Sequence, residues 1–182
     1  GTELKKEFFH IDRFFGSNDI EQIIKYLCSK DYQKYDPDYD RISLTPPHYG
    51  YLKISEGCDN ACSFCSIPLM RGLQKSQPIE WNIAEAKRMA QNGVREILVI
   101  AQDSTSYGWD LTPRRSLAEL LTELNKIEEL DWIRLHYAHP THLHNDVIKC
   151  FNRLEKLIPY IDMPIQHAST SVLRDMRRGL KI

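Results

Sequence analysis

Three thiols fall within eight residues of one another, in Glu56-Gly57-Cys58-Asp59-Asn60-Ala61-Cys62-Ser63-Phe64-Cys65. Clustered cysteines in a loop flanked by glycine gain nothing from packing, so CxxxCxxC reads as a ligand set. An iron–sulfur cluster bound by four cysteines is full, whereas one bound by three leaves an iron open to another ligand. Zinc is the chemical competitor, but a structural zinc normally takes four protein ligands at paired CxxC spacing. Its fourth ligand would be Cys28, Cys150 or a histidine from elsewhere. The chain has five cysteines, an odd number that does not suit a disulfide framework. Residues 1–15 show no apolar secretory segment, so the thiols point to metal binding in a reducing cytoplasm.

The elements around the loop follow from periodicity. Tyr49–Ser55 reads as a strand leading into the cysteines. Residues 78–91 read as a helix, with Ile79, Ile83, Ala86 and Ala90 on one face and Gly93 as its stop. Residues 96–101 form a continuous apolar strand of the kind buried on both faces of a parallel sheet. Ser116 caps a helix with Leu117, Leu120, Leu121, Leu124 and Ile127 in one stripe. Residues 131–138 read as a strand, 144–157 as a helix, 160–165 as a strand, and Ser169 opens a last helix. Four strands alternating with four helices imply an α/β fold of βα units with parallel strands. A closed barrel of this type needs eight strands and about 250 residues. The expectation is therefore a partial (β/α) barrel, truncated after about four βα units, in a fragment of a longer protein.

Upstream, Ile20, Ile23, Ile24 and Leu27 share a helical face behind Asn18 or Asp19 as cap. Residues 31–43, rich in Tyr, Asp and Lys around Pro37, read as a linker between a short segment, 1–30, and a main domain, 44–182. The 182 residues are 42% hydrophobic and 27% charged, with a net charge of −1. That balance provides no bulk attraction to nucleic acid or anionic membrane. The longest apolar run, Ile97–Ala101, is far short of the ~20 residues that span a bilayer.

The cysteine loop, with an aromatic before its third cysteine, resembles the signature of the radical S-adenosylmethionine (SAM) superfamily. Its surroundings are similar to the methylthiotransferases of that superfamily: Leu44-Thr45-Pro46-Pro47-His48-Tyr49, Tyr51 to Cys58, and Ile67-Pro68-Leu69-Met70-Arg71-Gly72. Residues 100–108, Arg134-Leu135-His136-Tyr137-Ala138-His139-Pro140 and Pro164-Ile165-Gln166-His167-Ala168-Ser169 resemble the branch that modifies an aspartate of a small-subunit ribosomal protein. The resemblance runs from about Leu44 to the C-terminus, and residues 1–30 resemble the end of the family's N-terminal domain.

The resemblance implies that Cys58, Cys62 and Cys65 hold a [4Fe-4S] cluster whose open iron chelates SAM. Reductive cleavage of the sulfonium then yields a radical that takes hydrogen from an unactivated carbon. Phe64 would lie against the adenine, or else be a core phenylalanine. Gln102 ends the second strand, on the edge where ligands sit in parallel β/α folds, and would bond the methionyl end of SAM or merely cap a loop. Arg134 and His136 alternate on the third strand and so face one side, the lumen of a barrel. Gln166 and His167 end the fourth strand on the ligand-binding edge. Arg71 would meet a carboxylate or stay solvated, and Trp81, Trp109 and Trp132 read as packing.

The implied partners are a small-subunit ribosomal protein and a flavodoxin-like or ferredoxin-like electron donor. The family also carries three N-terminal cysteines for a second cluster associated with sulfur insertion, where this chain has only Cys28. Sulfur donation and substrate recognition are therefore expected outside residues 1–182. A tRNA methylthiotransferase is the alternative within the family, disfavoured by the lack of a basic stripe. A zinc-stabilised βα module without enzymatic activity is the alternative outside it.

Overall fold

The structure, a computed structural model, describes residues 2–16, 19–28 and 44–179. The segment read as a linker, residues 31–43, lies outside the described residues, as does Asn18. The chain divides into two compact units, residues 1–42 and 43–182.

In the first unit are helices α1 (Thr2–Glu7) and α2 (Ile20–Cys28). Asp19 accepts from Gly16 N (2.8 Å) and from Gln22 Nε2 (3.3 Å), which fixes the entry to α2. The Arg13 guanidinium lies over the rings of Phe15 and Tyr26.

The second unit runs β1 (Tyr49–Lys53), β2 (Ser55–Glu56), α3 (Ile67–Arg71), β3 (Lys75–Ser76), α4 (Ile79–Gln91), β4 (Glu96–Ile100), α5 (Leu117–Leu124), β5 (Trp132–Leu135), α6 (Asn145–Arg153), β6 (Leu157–Ile161) and α7 (Thr170–Asp175). A single 3-10 turn, Ser104–Ser106, follows β4. Strands β1, β4, β5 and β6 form one parallel sheet in that order, while β2 and β3 make a separate antiparallel pair. Sequential neighbours joined by helices are what a sector of a (β/α) barrel requires.

Alternation sorts the sheet into two faces. Leu52, Ile97, Val99, Ile133, Leu135 and Leu157 are buried in one core with Ala86, Met89, Leu120, Leu121, Leu124, Val147 and Cys150 of α4, α5 and α6. The intervening Tyr51, Lys53, Leu98 and Arg134 stay partly or largely exposed. The helix over the centre is held at its start by a capping box: Ser116 Oγ accepts from Glu119 N, and the Glu119 carboxylate accepts from Ser116 N. Such a cap satisfies two of the donors that every helix leaves unpaired at its N-terminus.

Two local expectations need correction. The fourth strand is 157–161, not 160–165. Leu154 already leaves α6 with extended backbone, and Leu157, buried at 2% exposure, pairs with Ile133. Pro159 lies inside this run. At the edge of the described sheet, proline's missing N–H is tolerated. The second correction is the short helix α3 and the β2–β3 pair, which are too brief to show periodicity.

Substituting Ile97→Ala, at 0% exposure in β4, is expected to cost about 2–5 kcal/mol. Urea unfolding would register it as a lower midpoint with an unchanged m-value. Leu98→Ala, on the other face, should cost less than half as much.

Candidate functional site

All the segments that follow the C-terminal ends of the parallel strands meet around one cavity of about 270 Å³. The β2–α3 loop brings Cys58, Asn60, Cys62, Phe64 and Cys65, and Gln102 follows β4. Tyr137 and His139 follow β5, Gln166 follows β6, and Arg178 comes from beyond α7. Convergence on this edge is the usual placement of ligands in parallel β/α folds.

The cysteine loop is shaped by backbone contacts. Gly57 has φ +80°, and a Cβ there would stand 2.3 Å from the Leu73 carbonyl oxygen, so only glycine fits. Cys58 N donates to Gly72 O (3.1 Å), Cys65 N to Cys62 O (3.1 Å), and Asp59 Oδ1 accepts from Gln74 N (2.8 Å). Each sulfur has a donor. Asn60 offers both its backbone N and Nδ2 to Cys58 Sγ at 3.4 Å. Ile67 N reaches Cys65 Sγ at 3.5 Å, and Arg178 Nη1 reaches Cys62 Sγ at 3.5 Å. Burial pushes the Cys58 thiol up, while the Asn60 hydrogen bonds pull the other way and the Asp103 charge adds to the rise.

Behind the loop stands a charged bracket. Asp103 is buried, and its Oδ2 accepts from Asn60 Nδ2 (2.9 Å) and lies 2.6 Å from His142 Nδ1. Its Oδ1 accepts from Thr105 N (3.1 Å) and Thr105 Oγ1 (2.6 Å). Burial opposes its charge, but the hydrogen bonds from His142, Thr105 and Asn60 prevail and hold the carboxyl at about 2. His139 stacks on His142 with ring centroids 4.6 Å apart. Burial first, and Arg178 second, press His139 down to about 4, so it is neutral at pH 7. Asp103, His139 and His142 have ligand-type atoms within 4.8 Å of one another. Both Asp103 oxygens and His139 Nδ1, which accepts from Thr141 N, are already engaged, so the set reads as a hydrogen-bonded bracket.

Of the residues singled out in the sequence, the three cysteines, Phe64, Gln102 and Gln166 line the cavity. Gln102 Nε2 donates to Glu56 Oε1 (2.8 Å), and Glu56 is also paired with Lys53. Gln102 Oε1 is buried without a hydrogen-bond partner among the described residues. Arg134 and His136 are not among the lining residues. Arg134 Nε bonds Glu96 Oε1 (2.6 Å) beneath the Tyr160 ring, and His136 Nδ1 lies 3.6 Å from Asp162. His167 is exposed, and its Nδ1 accepts from Ser169 N (2.9 Å). Cys150 is buried in the helix core, bonded to Asp146 O. Phe64 is 52% exposed, not a core side chain.

The sequence reading missed Asn60, Asp103, His139 and Arg178. A signal was there for His139: His139-Pro140-Thr141-His142 puts two imidazoles three residues apart after a strand. Nothing local marks Arg178, one of several arginines near the C-terminus.

Comparison with known proteins matches residues 52–181 to the radical SAM superfamily. A ribosomal protein uS12 methylthiotransferase RimO of Flavobacterium johnsoniae is 50% identical over 177 residues, 97% of this chain and 40% of that protein. The protein of the same name from Aquifex aeolicus is 46% identical over 177 residues, again 97% of this chain and 40% of that protein. The chain thus spans about two fifths of the length of these curated relatives. Among solved structures, the radical SAM methyltransferase TsrM of Kitasatospora setae, with tryptophan and a SAM analogue bound, superposes with a TM-score of 0.56 at 15% identity. That match covers 74% of this chain and 27% of TsrM, and it supports the fold.

The bracket makes the metal-free chain acid-labile. His139 moves from an ordinary 6.5 down to about 4 on folding. Below pH 6.5 the unfolded chain therefore takes a proton that the folded chain declines, and stability falls from there to about pH 4. Asp103, lowered from 3.8 to about 2, is fully stabilising above 3.8, and its contribution is lost below that. Urea midpoints are expected to drop as pH falls from 6.5 to 4, and His139→Asn should flatten that slope.

Proposed function

The chain belongs to the radical SAM superfamily, and on that premise we propose that it carries the cofactor-binding part of an enzyme that methylthiolates an aspartate side chain of a small-subunit ribosomal protein. The observation that carries the proposal is a single cavity holding three thiols, each already given a hydrogen-bond donor, beside an unpaired buried amide oxygen. About half of the residues are identical to the uS12 methylthiotransferase of F. johnsoniae across 97% of this chain, which supports the substrate assignment.

The donor set fits a [4Fe-4S] cluster held by three cysteines. Thiolates are the ligands such clusters take, and three of them leave one iron open for SAM. Among the described residues, no fourth cysteine lines the cavity. When bound, the cluster and SAM supply reductive cleavage of the sulfonium, and with it hydrogen abstraction from an unactivated carbon.

The rest falls to the protein. Cys58, Cys62 and Cys65 are the proposed iron ligands. Gln102 Oε1, held by the bond from Gln102 Nε2 to Glu56, would accept a hydrogen bond from the ammonium of the methionyl group. Phe64, exposed at the mouth, offers a flat apolar face for the adenine. Gln166 lines the opposite wall and would bond the nucleoside. Arg134, His136 and His167 belong to the surrounding scaffold and would act on cofactor binding only through their neighbours. Apolar walls from Ile67 and Pro164 exclude water from the reacting region. A flavodoxin-like or ferredoxin-like donor and a cytoplasmic setting complete the proposal, with residues 1–30 belonging to a preceding domain and 44–182 to the radical SAM core. Among the described residues, no helix is long and apolar enough to cross a membrane.

Anaerobic reconstitution with iron and sulfide tests this reading. A brown protein with about four irons per chain is expected. Cys58→Ala, Cys62→Ala and Cys65→Ala should each abolish iron retention, whereas Cys28→Ala and Cys150→Ala leave it unchanged. A colourless chain with stoichiometric zinc would overturn it. In the whole enzyme, mass spectrometry of the ribosomal protein should show SCH3 in place of hydrogen at the aspartate. Gln102→Ala should weaken SAM binding by at least about tenfold, on the order of one charged hydrogen bond.

A further inference from the structure

Arg178 is a buried cation with no carboxylate. It is 8% exposed, and among the described residues no ion pair joins it to Asp or Glu. Its Nη2 donates to Pro164 O (2.7 Å), its Nη1 to Cys62 Sγ (3.5 Å), and its Nε is buried without a partner. A guanidinium does not discharge on burial as lysine or histidine does. Taking one out of water costs several kcal/mol unless a counter-charge stands beside it. The neighbouring titratable side chain, His139, is neutral at pH 7 and offers none. The acceptor it reaches on the cysteine loop is Cys62 Sγ, which would carry negative charge as a thiolate ligand of a bound metal.

The backbone holds Arg178 there at a cost. Helix α7 ends in a Schellman turn: Arg178 N donates to Leu173 O (2.9 Å) and Arg177 N to Arg174 O (2.9 Å). The left-handed position of that turn, usually glycine, is filled by Arg177 at φ +55°. The helix end is also tied directly to the cysteine loop. Ser63 N donates to Met176 O (3.1 Å) and Ser63 Oγ to Asp175 O (3.0 Å). A side chain 116 residues along the chain from Cys62 is thus held near its sulfur by these four hydrogen bonds.

We infer that Arg178 is the counter-cation of the cysteine loop, a positioning residue that donates to the Cys62 sulfur and raises the reduction potential of the cluster held there. The inference rests on the cluster reading above. Reduction adds one negative charge to the cluster, and a fixed buried cation with an N–H directed at a ligand sulfur stabilises the reduced form more than the oxidised one. Removing the guanidinium therefore shifts the balance toward the oxidised form.

The test is an anaerobic redox titration of the reconstituted chain with dithionite, followed by electron paramagnetic resonance, for the parent and for Arg178→Met, Arg178→Gln and Arg178→Lys. Iron content and circular dichroism are measured alongside. The two neutral variants are expected to be folded. They should either titrate at a lower potential, by a tenfold or greater change in the reduction equilibrium (about 59 mV for one electron), or lose iron from a folded chain. Arg178→Lys should lie between them and the parent. Parental potentials in both neutral variants would overturn the inference. So would loss of native circular dichroism in both neutral variants without metal, because the guanidinium would then hold the fold instead of the sulfur. Failure of the parent itself to take up iron would sink the cluster reading, an outcome distinct from these.

Discussion

The carboxylate of Asp103 sits at 2% exposure directly behind the cysteine loop, and a charge in such a place persists only when donors surround it. Asn60, Thr105 and His142 are those donors, drawn from three different inter-strand loops. Asn60 has two amide hydrogens and divides them between Asp103 Oδ2 and Cys58 Sγ. The position of the first sulfur is therefore set by a residue that never touches it. Thr105 closes the same circuit by donating to Asp103 and accepting from His139 N (3.0 Å), which ties the loop after β5 to the loop after β4. Without the carboxylate, three loops lose their common partner at once.

Charge balance around the cavity follows from the same arrangement. Asp103, an anion held at about 2, stands behind the cysteine loop, and the cation Arg178 lines the cavity itself. The Asp103 charge opposes ionisation of the Cys58 thiol, while Arg178 Nη1 donates to Cys62 Sγ (3.5 Å). The thiols are thereby given unequal surroundings, although the sequence writes them as identical cysteines.

Much of the scaffold was legible because it obeys a period. Helix α5 shows its leucines at helical spacing and a Ser116/Glu119 cap, and β4 its unbroken apolar run, so both were found within a residue or two. The fourth strand was displaced because its start is set by pairing with β5, far away in sequence, and α3 was invisible at five residues. The cysteines were legible from spacing alone. Alternation puts Arg134 and His136 on one face, but period-two geometry says nothing of depth along the strand. Arg134 pairs with Glu96, His136 Nδ1 lies 3.6 Å from Asp162, and neither lines the cavity. Arg178, Asn60 and Asp103 were not legible, because what distinguishes them is a partner distant in sequence: 116 residues separate Arg178 from Cys62, and 43 separate Asn60 from Asp103.

Backbone strain marks the same rim. The described non-glycine residues with positive φ are Tyr137 (57°), Gln166 (70°) and Arg177 (55°). The first two line the cavity, and the third precedes a residue that does. Each costs on the order of 1–3 kcal/mol and persists only where neighbouring contacts over-determine it. The contacts are identifiable. Tyr137 N donates to Asp162 Oδ2 and Tyr137 O accepts from Ser104 N, His167 N donates to Ile165 O across Gln166, and the α7 turn constrains Arg177. Tyr137 and Arg177 each stand two residues past an element end, and His139 and Arg178, which follow them, line the cavity. Stability taken from the helix-covered face of the sheet offsets this strain, so the rigidity of that core is what allows the cavity edge to be built from unfavourable backbone.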